Sequence, residues 1–163
     1  MNRAELLERL PSLVPNAVAW AEQQSHVVQQ SGTPLADFEV ALAKSVGVRQ
    51  PDLVRVLEVL QLPIPEDTRL HEAAQQLGIL GPTMSGLTLG HSIFICTGHR
   101  ASALLAHELR HVYQYELAGS IAEYLPAYFD QLLYFGYRRA PLEIDAREHE
   151  KQGRRATIGL KKQ

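Results

Sequence analysis

Residues 101–118 read ASALLAHELRHVYQYELA, and the period of this stretch decides the fold. Leu104, Leu105, Leu109, Val112, Tyr113 and Leu117 recur at helical spacing, and Gly119 is placed to end the helix. Inside it stands His107-Glu108-Leu109-Arg110-His111. Positions i and i+4 of a helix lie about 40° apart around the axis, so both imidazoles project the same way. Two imidazoles on one face can share a single Zn²⁺. Glu108 sits on the adjoining face, where a carboxylate reaches a water on the metal without being a ligand. From there it can take a proton as general base and return it to a leaving amine.

A catalytic zinc needs a third protein ligand and an open fourth position. No third histidine follows at the short HExxHxxGxxH spacing, because Tyr115, Glu116 and Leu117 occupy that stretch. The segment 140–150, APLEIDAREHE, opens a helix at Pro141 and offers Glu143, Asp145, Glu148 and Glu150. Glu143 is the expected ligand, since it lies in the first turn and faces the same way as Ala146 and Arg147. Asp145 is its nearest rival, as ligand or as acceptor for a histidine N–H. Glu116 and Glu123 fit less well. A tyrosine is the expected donor to an oxyanion, with Tyr115 nearest in angle to His111 and Tyr137 just before the third-ligand helix.

Outward from this core, the N-terminal 50 residues read as helical. Pro15 or Asn16 opens a helix that Gly32 ends, and Thr33-Pro34 caps a second one running from Leu35 to Val46. Leu53 to Leu62 fits a strand, and can also be read as a helix after a turn at Gly47-Val48, a packing turn explaining AKSVGVRQ better than a helix-turn-helix does. Only Arg49 and Arg55 would face a groove there, too few for base readout. Arg69 to Leu77 reads as a short helix closed by Gly78. From Gly86 the pattern turns to β through Leu87, Leu89 and Ile93–Cys96, with a bend or bulge at Gly90. Ile93–Cys96 reads as an interior strand, with an edge strand onto which an extended peptide could add as the alternative. Ile121 to Phe135 is a helix broken or kinked near Pro126, and 151–163 a basic, frayed tail.

Composition narrows the class. Of 163 residues 45% are hydrophobic and 21% charged, with net charge −2, which excludes a disordered solvating chain. The absence of a basic excess argues against nucleic acid as a partner. Cys96, the single cysteine, cannot form an internal disulfide or a Cys-rich zinc ribbon and reads as an inert buried thiol. Glu5 and Glu8 interrupt any secretory apolar core, and no stretch approaches the ~20 apolar residues of a membrane span. A cytoplasmic location is expected. His91 and His99 read as solvated loop histidines, and His26 and His71 as surface residues.

Three pieces together carry a resemblance: TLGHSIFI at 88–95, LLAHELRHVYQYE at 104–116 and APLEIDAR at 140–147. They resemble the zinc-metallopeptidase-like domains of the gluzincin group, and most nearly the domain family known as DUF4157. Thr88, Gly90 and Ile93 match its T-x-G-x-x-I strand; His107, Glu108, His111 and Gln114 match HExxHxxQ; Pro141, Leu142, Glu143 and Ala146 match P-L-E-x-x-A. The likeness covers roughly residues 80–150, and residues 1–50 lie outside it. Where that group often has an Asp four positions after the ligand glutamate, Arg147 stands here, and Asp145 is the available substitute.

The expectation is one α+β domain over 1–163, zincin-like, mostly helical, with a small sheet preceding the HExxH helix. Its expected activity is Zn²⁺-dependent hydrolysis of a bond in a peptide or protein substrate, with His107, His111 and Glu143 on the metal and Glu108 as base. The alternative keeps the fold without the chemistry, as a metal-binding or protein-interaction module.

Overall fold

The computed structural model describes residues 2–162. Among the described residues six α-helices and a four-stranded sheet make an α+β fold, mostly helical, in the order α1 (Arg3–Ser31), β1 (Thr33–Pro34), α2 (Asp37–Ser45), β2 (Arg55–Val59), α3 (Thr68–Leu77), β3 (Gly86–Leu89), β4 (Ser92–Cys96), α4 (Ser102–Ala118), α5 (Ile121–Phe135) and α6 (Pro141–Leu160), with single 3-10 turns at Pro51–Leu53 and Tyr137–Arg139. Among the described residues no helix is long and apolar enough to cross a membrane.

The sheet runs β1-β2-β4-β3, with only the β2–β4 pair parallel. Alternation along the strands sorts side chains to two faces. Val56, Ile93 and Ile95 pack with Leu105, Leu109 and Val112 of α4. Phe94 and Leu89 point the other way, into a cluster built by α1, α3 and α5. Gly86 and Thr88 pair with Ile95 and Ile93, which places them on the α4 face at the sheet's edge.

Helix α1 starts at Asn2, whose side chain accepts from Glu5 N while Glu5 returns a bond to Asn2 N, a capping box. It then runs unbroken through Pro11 and Pro15, so the helix does not open at Pro15 or Asn16. Each proline removes one helical hydrogen bond, normally at a cost of ~3 kcal/mol. Leu7, Pro11 and Pro15 are all exposed and share one stripe, so the carbonyls left without N–H partners lie on the water side. The opposite stripe buries Leu6, Leu10, Leu13, Ala21 and Val28.

Further expectations are corrected, and open alternatives resolved. Thr33-Pro34 is an edge strand paired with Arg55 and Val56, and the following helix starts at Asp37 with Glu39 bonded back to Ala36 N. Residues 55–59 form β2, which removes the helix-turn-helix; the Arg55 guanidinium donates to the carbonyls of Asp52 and Val54. Ile93–Cys96 is interior, held by β2 on one side and β3 on the other, so β3 and β1 are the edges. The C-terminal segment is no frayed tail: α6 continues to Leu160. Gly153 sits so close to the Ser102 carbonyl that a Cβ there would overlap it. Helix α5 likewise passes Pro126 without a break.

Candidate metal centre

Helix α4 is wedged between the sheet and α6, and its two stripes do different work. Leu105, Leu109 and Val112 lock it to the sheet, while His107, His111 and Gln114 face α5 and α6. On α6 the residues at 143, 146, 150 and 153 form one stripe: Glu143, Ala146 and Gly153 are buried, and Glu150 is half-buried. Glu143 is only 1% exposed, despite being a carboxylate. Burial on that scale demands a compensating partner.

His107, His111 and Glu143 converge. The Nε2 atoms of the two histidines are 3.1 Å apart. His107 Nε2 lies 3.4 Å from Glu143 Oε2, and His111 Nε2 lies 3.4 Å from Glu143 Oε1. Bonds of 2.0–2.1 Å to a tetrahedral cation put ligand atoms about 3.3 Å apart. The observed spacings match that geometry, and the three residues form a buried group able to hold a metal ion.

The surrounding hydrogen bonds dictate what those atoms present. His107 Nδ1 is 3.1 Å from Glu150 Oε1, a pure acceptor when ionised, so Nδ1 carries the proton and donates. Gln114 donates its amide N–H groups to Leu142 O at 2.9 Å and Asp145 Oδ2 at 2.8 Å. Its Oε1 is therefore the atom 2.8 Å from His111 Nδ1, which must donate. Tyr124 Oη also donates to that oxygen at 3.2 Å. With Nδ1 donating, each ring when neutral presents its Nε2 lone pair inward. Glu143 Oε1 accepts from Tyr128 Oη at 2.7 Å, whereas Oε2 is buried with no hydrogen-bond partner. Three electron pairs facing one point repel unless a positive charge sits among them. The donor set of two imidazoles and a carboxylate fits a divalent ion such as zinc.

Without a metal, a proton takes the cation's place among these groups. Burial disfavours a charged His107, but Glu143, Glu108 and Glu150 outweigh it and raise its pKa to about 9. Burial likewise opposes ionisation of Glu143, yet the adjoining His107 and His111 imidazoles and the hydrogen bond from Tyr128 hold its carboxyl far below the usual range. Burial pushes Tyr115, Tyr124 and Tyr128 up, keeping them neutral.

Glu108 is buried on the neighbouring face of α4. Thr88 Oγ1 donates to its Oε2 at 2.6 Å, tying it to edge strand β3. A Cβ at Gly86 would overlap the Glu108 carboxylate, so only glycine leaves room there. Glu108, His107, His111 and Glu143 all line one cavity of about 100 Å³.

The other sequence candidates go elsewhere. Asp145 is not in the ligand group; it binds the Arg110 guanidinium at 2.7 and 3.1 Å and fixes Gln114, acting on His111 at one remove. Glu116 accepts from Arg49 N, Gln50 N and His91, and is not in the ligand group either. His99 lies exposed in the turn after β4. Cys96 is half-buried and free. Tyr115 stacks on Tyr124 with ring centroids 3.8 Å apart. Tyr128, which the sequence places among the packing aromatics, hydrogen-bonds Glu143, and Tyr124 Oη lies 3.5 Å from His111 Nδ1. The only sequence signal for Tyr128 is the i, i+4 pairing with Tyr124 on α5; for Glu150 it is the i+7 spacing from Glu143.

Comparison with protein-family models, with curated proteins and with solved structures finds no match to this chain, so its chemistry is read from its own geometry.

Proposed function

We propose that this protein is a zinc-dependent hydrolase of peptide or amide bonds, zincin-like in the placing of its site. The observation that carries the reading is the convergence of two inward-facing Nε2 atoms and an orphaned carboxylate oxygen at bonding separation, with a second buried glutamate beside them. His107, His111 and Glu143 would hold the ion. When bound, it supplies Lewis acidity toward a carbonyl oxygen and toward water.

The chain's own residues do the rest. Glu108 has Oε2 committed to Thr88, which leaves Oε1 to accept a proton from the attacking water. The same oxygen returns that proton to the nitrogen as the C–N bond breaks. Gln114 and Glu150 hold the imidazoles in the tautomer that keeps Nε2 unprotonated. Tyr128 anchors the Glu143 carboxylate against rotation.

The test is turnover of a broad peptide library by the zinc-loaded protein, with and without a chelator, beside Glu108→Gln. Cleavage should vanish on chelation and return with zinc. The Gln variant should keep its zinc and lose about 10²–10⁴-fold in rate. Cleavage untouched by Glu108→Gln removes the general-base assignment. Tightly held zinc without cleavage of any peptide favours a metal-binding module instead.

A further inference from the structure

The cavity beside the site is apolar everywhere except at the site itself. Leu10, Leu13, Trp20, Leu77, Met84 and Phe129 are among its walls, and its only ionisable carboxylates and imidazoles are Glu108, His107, His111 and Glu143. No lysine or arginine reaches it. Two of its walls come from α1 and α3, outside the 80–150 stretch that carries the metal residues. The space is also distinct from ordinary core packing. Leu10, Leu70, Leu77 and Phe129 keep 5–8% of their surface exposed, while Ile93, Ile95 and Leu109 across the sheet keep none.

Resting on the hydrolase reading, we propose that this cavity is the specificity pocket, and that it takes an unbranched or singly branched aliphatic side chain of about four carbons adjoining the scissile bond. Size sets the upper limit. An apolar cavity of about 150 Å³ accommodates benzene, so the 100 Å³ here suits a leucine- or methionine-sized group and excludes an indole. Polarity sets the class. A charged side chain would be desolvated with no counter-ion on the apolar walls, whereas each buried methylene adds favourable transfer free energy.

The test uses n-alkyl hydroxamates of one to eight carbons, which pair a metal-binding head with a chain of chosen length. Trp20 is the single tryptophan and lines the cavity, so its fluorescence reports occupancy without any need for turnover. With zinc-loaded protein, affinity should rise about fourfold per methylene up to four or five carbons and then stop rising. Filling the α1 wall by Ala17→Leu should move that cut-off to a shorter chain while leaving zinc content unchanged; Ala17 is only half-buried, and Ala74→Val on α3 serves the same purpose. Zinc-dependent binding with no chain-length dependence overturns the pocket and leaves the metal centre standing. Binding of every hydroxamate equally well to zinc-free protein overturns the metal centre, and the pocket assignment with it.

Discussion

The two faces of the sheet are packed to different ends. On the α4 face, Val54, Ile93, Ile95, Leu109 and Val112 are completely buried, and Leu105 nearly so. On the α1 face, Leu10, Leu70, Leu77 and Phe129 keep 5–8% of their surface exposed and line a cavity of about 100 Å³. Dense packing fixes side chains in one arrangement, since each missing contact forfeits dispersion energy. The closed face therefore holds α4 rigid, and rigidity there is what keeps His107, Glu108 and His111 in register with Glu143 on α6. The open face keeps room that the proposed substrate would require. One helix serves both, its leucine stripe turned to the sheet and its histidine stripe turned to α6.

That contrast can be broken by truncating one leucine on each side. Leu109→Ala, on the closed face, should destabilise the protein by about 3–5 kcal/mol. Leu77→Ala, which already borders empty space and so loses fewer contacts, should cost about 2 kcal/mol. Urea denaturation of both variants measures the difference, and equal costs would show the two faces to be packed alike. Next in size is Thr88→Val. It removes the hydroxyl on Glu108 Oε2 and frees the carboxylate to turn, so turnover should fall about tenfold, the worth of one hydrogen bond to a charged group. Zinc content should not change; a loss of zinc would place Glu108 in the ligand shell. The smallest effect is expected from Asn2→Ala at the start of the helix that walls the cavity. Losing that cap should cost about 1 kcal/mol with metal binding unaltered, read by thermal unfolding.

The α4 helix and the Glu143 position were legible in the sequence because both follow from helical spacing, which local residues control. Gly78 and Gly119 likewise end their helices where the chain said they would. What escaped was set by tertiary context. Pro15 read as a helix start, yet the solvent-side stripe it shares with Pro11 and the buried leucines opposite let α1 run through it. Ile93–Cys96 is apolar on both faces, the mark of an interior strand, but its neighbours β2 and β3 could not be assigned from its own residues. The stretch after Glu150 is polar enough to look frayed; only the close approach of Gly153 to Ser102 explains its order. Within the site, Tyr128 on Glu143 and the Asp145–Gln114–His111 chain join separate helices, so no spacing rule along one segment points to them.

The central claim is that three side chains from two helices enclose one divalent cation. Zinc titration of the metal-free protein by calorimetry, alongside His107→Ala and Glu143→Ala, tests it directly. One zinc per chain should bind the wild type, and each substitution should weaken binding by at least 100-fold while the fold persists by circular dichroism. Equal zinc affinity in wild type and both variants would contradict it.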